Sequence, residues 1–258
     1  MVKGLDIFRE RFRPFEGSFT LIGGAACEEW FASQGLTFRA TKDLDIVLMI
    51  EVLSQDFVAA MRAFVTEGKY EIRERSEGVP ILYRFAKPAR EDFPFMLELF
   101  SRSPEGLDLG PDQEIIPIAV EPGQHSLSAI LLDDAYYGLI QTHHDLRDGL
   151  HVANATALIP LKAHAWLNLT RREAAGETVD AKNTSKHRAD VFRLAATLPG
   201  EPGLELPAPI VEDLKTFLQA FPTDSPEWPA ILASLKSNSL RTSRPETLRQ
   251  AIQTYFRL

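Results

Sequence analysis

LIGGAACEEWFASQGLTFRATKDLDIVL, residues 21–48, is the stretch on which the fold turns. A short apolar, β-rich run (FTLI, 19–22) stops at Gly23-Gly24. The ten residues that follow, 25–34, read as a helix with Ala25, Ala26, Trp30 and Phe31 available to one face. LDIVLMI at 44–50 then reads as a buried strand, with Asp43-Leu44-Asp45 at its start. Side chains alternate along a strand, so Asp43 and Asp45 share a face while Leu44 points into the core.

The pattern continues downstream. Residues 54–67 predict a helix with Phe57, Val58, Met61, Phe64 and Val65 on one stripe. PILYRFA at 80–86 and PFMLELF at 94–100 read as strands, so the first hundred residues run β-α-β-α-β-β. Residues 101–150 are turn-rich and carry no clear period. From Leu158 the pattern is helical, at 158–174 and 184–197, and again at 210–221, 226–236 and 245–256 beyond the Pro/Gly-rich stretch 199–209. These segments predict an α/β (α+β) fold, with a sheet domain over 1–155 and a C-terminal helical domain over 156–258.

Composition narrows the classes. The chain has 258 residues, 45% hydrophobic and 25% charged, enough to bury a sizeable core. A disordered tail, a fibrous repeat and a disulfide-stapled mini-protein are excluded. The formal net charge of -8 makes a poor non-specific nucleic-acid binder, so a polyanion must meet a local basic patch or metal ions. One stretch is locally basic: Lys182, Lys186, Arg188 and Arg193 stand against Asp190 alone, with Arg171 and Arg172 upstream. A single cysteine, Cys27, fits a reducing compartment. The N-terminal residues are broken by charge every few positions, and the longest apolar run, Ile46 to Ile50, is far short of the ~20 residues that span a bilayer. The expectation is a cytoplasmic protein with no membrane partner.

Each part of the opening stretch has a chemical use. Two glycines let backbone N–H groups approach a phosphate, and the following helix presents its positive end to the same anion. Neighbouring carboxylates on a strand repel unless a cation lies between them, and hard oxygen ligands of this kind suit Mg²⁺, which binds through one or two carboxylates plus substrate phosphates. Glu98 lies inside an apolar strand, where an unpaired carboxylate is costly. Three carboxylates on neighbouring strands suffice for two metal ions about 3.5–4 Å apart, the arrangement that serves in-line displacement at phosphorus.

Gly-Gly, some twenty residues, then Asp-x-Asp resembles the signature of the DNA polymerase β-like nucleotidyltransferase superfamily. RATKDLDIVL resembles the R-x-T-x-D-[LI]-D motif of the AbiEii-type toxin nucleotidyltransferases of abortive-infection and type IV toxin–antitoxin systems. Residues 159–198 resemble that family's C-terminal motifs at Lys162, Lys186 and Asp190, so the likeness covers about two-thirds of the chain. Two positions differ: many members have Gly-Ser where this chain has Gly23-Gly24, and many have Asp where it has Glu98.

The resemblance implies a polymerase β-like sheet domain that moves a nucleoside monophosphate from an NTP to an acceptor hydroxyl, with Mg²⁺ (two ions) or Mn²⁺ as cofactor. It implies that Asp43 and Asp45 bind the metal, and that Glu98 completes the second metal site and takes the acceptor proton. By the same likeness Gly23, Gly24 and Thr41 contact phosphates and Lys162 neutralises the triphosphate. Lys186 and Asp190 shape the nucleotide site, with Asp190 orienting Lys186 or a substrate group. A toxin or phage-defence role, tRNA 3′ ends or other RNA as acceptor, and a cognate antitoxin as partner come with it. Transfer of AMP to a protein or of a nucleotide to an aminoglycoside-like small molecule stays open, as does a catalytically silent nucleotide-binding module.

Plainer readings stand beside these. Asp43 reads in the plain case as a helix or turn cap, Glu98 as a solvent-facing carboxylate, Lys162 as a solvated helix lysine, and Lys186 with Asp190 as an exposed i, i+4 pair. Arg39 suits either a phosphate contact or a surface charge. His143 and His144 are adjacent, with no zinc-like spacing around them, and read as surface or loop residues. His164 and His187 read as packed in or beside helices, and Cys27 as buried on the first helix.

Overall fold

Leu5, Phe8 and Phe12 recur every three to four residues and form a first helix, α1 (Leu5–Phe12), with all three buried. The structure is a computed structural model that describes residues 2–74, 80–103, 115–121, 124–236 and 243–258. A 3₁₀ turn leads into β1 (Phe19–Ile22) and α2 (Gly23–Ser33), followed by β2 (Asp43–Leu48) and α3 (Gln55–Gly68). The Ser54 hydroxyl accepts the Phe57 N–H at 3.2 Å and caps α3. Next come β3 (Glu71–Glu74), β4 (Pro80–Ala86), β5 (Met96–Ser101), β6 (Ile115–Glu121) and β7 (Gln124–Leu131). α4 (Asp134–Thr142), β8 (His144–Arg147) and β9 (Leu150–Ala153) close the sheet-bearing part. Five helices follow: α5 (Ala155–Ala174), α6 (Ala181–Ala195), α7 (Ala208–Ala220), α8 (Trp228–Lys236) and α9 (Pro245–Tyr255).

The chain divides into two compact units, Met1–Trp30 with Ala40–Asn154 and Phe31–Arg39 with Ala155–Leu258. Among the described residues the first is mixed α/β around a nine-stranded mixed sheet ordered β3-β4-β5-β2-β1-β9-β8, with the β6–β7 hairpin joined through β7 to β5. β2 lies antiparallel to β1 and parallel to β5. Against one face packs an aromatic core in which Phe8 meets Phe12 at 4.4 Å and Phe64 edge-on at 5.7 Å, and Phe64 meets Phe93 at 4.6 Å. The second unit is helical, its core built on Phe192 against Trp228 (4.6 Å) and Phe217 (5.4 Å). Among the described residues no helix is long and apolar enough to cross a membrane.

The expected strands and helices are present with boundaries shifted by a few residues, and four features differ. α1 is added, because its charges fall between apolar positions rather than breaking them. β3 is a short, charged strand at the sheet's edge that lacks an apolar signal. α5 begins three residues early, at Ala155, and carries Pro160 inside it. The stretch that reads as turn-rich holds β6, β7, α4, β8 and the first residue of β9, though its residues 104–114 and 122–123 lie outside the described ones. Pro117 within β6 and the polar HDLR of β8 hide their strands.

Candidate functional site

Register brings the acidic residues together. Asp45 is paired with Ile22 on one side and with Glu98 on the other, and Glu98 is paired in turn with Arg84. Adjacent strands lie about 4.8 Å apart, so Ile22, Asp45, Glu98 and Arg84 form a row across four strands on one face. Asp43 stands on that face two residues from Asp45, about 6.6 Å along the strand. Asp43, Asp45, Met96 and Glu98 are half-buried, whereas Leu44, Ile46, Leu97 and Leu99 on the opposite face are fully buried. The alternation places three carboxylates on the open side of a sheet whose other side is core.

The glycine pair sets how close this row comes to α2. Gly23 has φ +70°, a left-handed conformation that costs an L side chain about 1–2 kcal/mol. A Cβ on Gly23 would lie 1.8 Å from Oδ2 of Asp45, so the carboxylate fills the space a side chain would need. A Cβ on Gly24 would lie 2.6 Å from Oγ1 of Thr41. A serine at 24 would therefore contend with Thr41 for one position, and here Thr41 supplies the hydroxyl beside the helix start. The first turn of α2 thus meets a carboxylate and a hydroxyl with no side chain of its own between them. Its N–H groups and dipole favour an anion there.

Glu98 is ion-paired to Arg84, a residue that the sequence reading does not single out. The pair explains how an apolar strand tolerates this carboxylate, since its side chain is only 13% exposed. Register pairing across β4 and β5 is the signal, and it needs the topology to be visible. Among the described residues no three His, Cys, Asp or Glu side chains already converge as a metal cage. Asp43 and Asp45 fit a divalent cation nevertheless. They share a half-buried face, and Asp45 abuts an anion-favouring helix start, so ligand phosphate can complete the coordination as Mg²⁺ chemistry requires.

Lys162, Lys186 and Asp190 lie in the second unit. Asp190 is fully buried, and its carboxylate accepts from Arg39 through Nε at 3.1 Å and Nη2 at 2.7 Å, and from Arg193. Lys162, 5% exposed, places Nζ 3.8 Å from the same carboxylate. Asp190 thus organises two arginines and a lysine, and the exposed i, i+4 pair does not form. Lys186 is exposed and donates to Asn183 at 3.5 Å. Arg39 is held by Asp190 rather than lying as a simple surface charge. Arg193 as a partner was legible in principle, because it stands three residues beyond Asp190 on α6.

Burial, and after it the Lys162 charge, pushes His187 down to about 3, opposed by Asp190. Its Nδ1 is buried with no hydrogen-bond partner among the described residues. His164 bonds Asp213 at 2.6 Å. His143 ends α4, and His144 packs edge-on against His151 at 4.4 Å. Cys27 is buried on α2.

No family model matches the chain, and no curated protein or solved structure is significantly similar to it.

Two outcomes follow from these contacts. Gly23→Ala destabilises the parent more than it destabilises an Asp45→Ala background, because removing the carboxylate vacates the new methyl's space. A double-mutant cycle in urea gives a coupling of ~0.5–3 kcal/mol, and additivity contradicts the packing. His187 is neutral when folded but ionises near 6.5 when unfolded, so the unfolded chain takes up the proton first. Stability from this group is complete above about pH 6.5 and falls below it by up to ~1.4 kcal/mol per pH unit. His187→Gln flattens that limb between pH 6.5 and 4.5 in denaturation curves, and an unchanged slope contradicts it.

Proposed function

We propose that the chain is a metal-dependent nucleotidyltransferase of the polymerase β-like kind, moving a nucleoside monophosphate from an NTP to an acceptor hydroxyl. One observation carries the reading: Asp43 and Asp45 share a half-buried face that meets a helix start cleared of side chains, with Asp45 packed on Gly23 and Thr41 on Gly24. Cation ligands and phosphate donors adjoin, which is what a nucleoside triphosphate needs.

The N–H groups opening α2 and the Thr41 hydroxyl bind and orient phosphate oxygens. Asp43 and Asp45 hold the cation. When bound, a divalent ion neutralises phosphate charge and polarises the α-phosphorus. The acceptor oxygen forms a bond to the α-phosphorus, the bond from that phosphorus to the α–β bridging oxygen breaks, and pyrophosphate leaves. The hydroxyl proton passes to a carboxylate of the same face, and Glu98 is the one on the strand beside Asp45. The toxin or phage-defence role and the antitoxin partner are carried by the family resemblance alone.

The Glu98–Arg84 ion pair favours a second reading, a nucleotide-binding module without transfer, because it engages the third carboxylate. Transfer decides between them. Purified protein is incubated with each α-labelled NTP, Mg²⁺, cellular RNA and lysate protein. The parent transfers label, while Asp43→Asn and Asp45→Asn lower the rate at least ~10³-fold, as loss of several kcal/mol of charge stabilisation requires. Nucleotide binding with no transfer supports the silent module, and transfer by both variants at the parent rate places the chemistry elsewhere.

A further inference from the structure

The sheet of the first unit has an open edge. β8 stands last in its strand order, and among the described residues β8 pairs with β9 alone. Asp148 and Gly149 join the two strands with φ +47° and +79°, the two left-handed residues of a type I′ hairpin turn. In such a hairpin the residues flanking the turn, Arg147 and Leu150, exchange backbone hydrogen bonds, and bonded and non-bonded pairs alternate from there. Asp145 therefore bonds to Val152, while the backbone N–H and C=O groups of Leu146 and His144 face away from β9. Leu146 is 58% exposed at this edge, and the strand carries neither a proline nor a bulge to blunt it.

The side chains of the edge are self-complementary. Two copies that meet edge to edge about a two-fold axis pair antiparallel, and the outward-facing backbone groups of one must meet those of the other. Two registers satisfy this while pairing three residues of β8, one centred on Asp145 and one on Leu146. The first sets Asp145 against Asp145 of the second copy, which places like charges directly opposite. The second sets Asp145 opposite Arg147 and Arg147 opposite Asp145, with the exposed Leu146 against its own image. Charge therefore selects the register at Leu146. Within one strand Arg147 donates Nη2 to Asp145 at 2.6 Å, and the Trp30 ring lies 5.7 Å from the guanidinium carbon. A guanidinium has five N–H donors, so this bond leaves Arg147 able to serve a second carboxylate. Edges are protected by charges that repel a second copy, and an Asp and an Arg two residues apart do the reverse.

We propose that β8 is a self-association edge: two copies of this chain pair their β8 strands antiparallel about a two-fold axis at Leu146, which continues the sheet from one copy into the other. Such a contact closes on itself and stops at two copies. Pairing over so few residues buries less than the ~800 Å² per partner of a standard interface, so the dimer is reversible and forms at high protein concentration. The proposal is independent of the nucleotidyl-transfer reading, since Gly23, Asp43, Asp45 and Glu98 lie on other strands and on α2.

Sedimentation equilibrium of the full chain from ~10 μM to ~1 mM, at low and high salt, tests it. The parent forms dimers and nothing larger, and salt weakens them. Asp145→Lys and Arg147→Glu each set like charges across the axis, and each weakens the dimer at least ~10-fold. Mixed one to one, these two variants associate as a heterodimer, because positions 145 and 147 are then both positive in one copy and both negative in the other. Leu146→Pro removes an N–H that faces the open edge rather than β9, and it weakens the dimer too. Circular dichroism checks that each variant folds, and recovery in the mixture separates lost pairing from lost folding. A parent that stays monomeric throughout overturns the proposal and leaves the edge to a strand of another protein. A dimer that survives all three substitutions overturns it by placing the interface elsewhere. Folded variants that fail to associate when mixed, or open-ended association beyond two copies, overturn it as well.

Discussion

The carboxylate of Asp45 rests where a side chain on residue 23 would have to be. That contact ties together the elements of the sheet unit that matter for chemistry. β1 must end opposite Asp45, which the Ile22–Asp45 pairing secures. The chain must then turn with φ +70°, which glycine permits without steric cost. α2 must begin at once, so that its N–H groups face the carboxylate. Any side chain at 23 forces Asp45 away, and the acidic face loses its contact with the helix start.

The sheet supports this arrangement by being closed on one side only. Leu44, Ile46, Leu97 and Leu99 anchor β2 and β5 to the aromatic core, and the same alternation turns Asp43, Asp45 and Glu98 outward. A slip of one residue in β2 would bury two carboxylates and expose Leu44, which makes the register hard to change. In the helical unit a single buried anion, Asp190, draws in Arg39 from the 31–39 segment, Lys162 from α5 and Arg193 from α6. Removing the carboxylate there would leave buried cations without their partner, a far larger penalty than loss of a surface pair.

The sequence made the local parts of this legible. Asp43 and Asp45 on one face follow from strand alternation, and the glycine turn from the end of FTLI. The α3 stripe at Phe57, Met61 and Phe64 follows from helical period. What escaped depends on pairing between distant segments. Arg84 as partner of Glu98 requires knowing that β4 lies beside β5, and Arg39 as partner of Asp190 spans 151 residues. Glu71–Glu74 and His144–Arg147 are edge strands too short and too polar for periodicity to reveal. The family resemblance implies Thr41 as a phosphate contact, but its packing against Gly24 emerges only from the turn's geometry.

On the proposed reading, the Asp43–Asp45 face holds a divalent cation next to bound phosphate. Mn²⁺ binding followed by electron paramagnetic resonance, with and without a non-hydrolysable NTP analogue, tests it most directly. The parent should bind Mn²⁺ saturably and more tightly when the analogue is present, and Asp43→Asn/Asp45→Asn should lose both effects. Unchanged Mn²⁺ affinity in that variant, or no binding by the parent in the presence of the analogue, would contradict it.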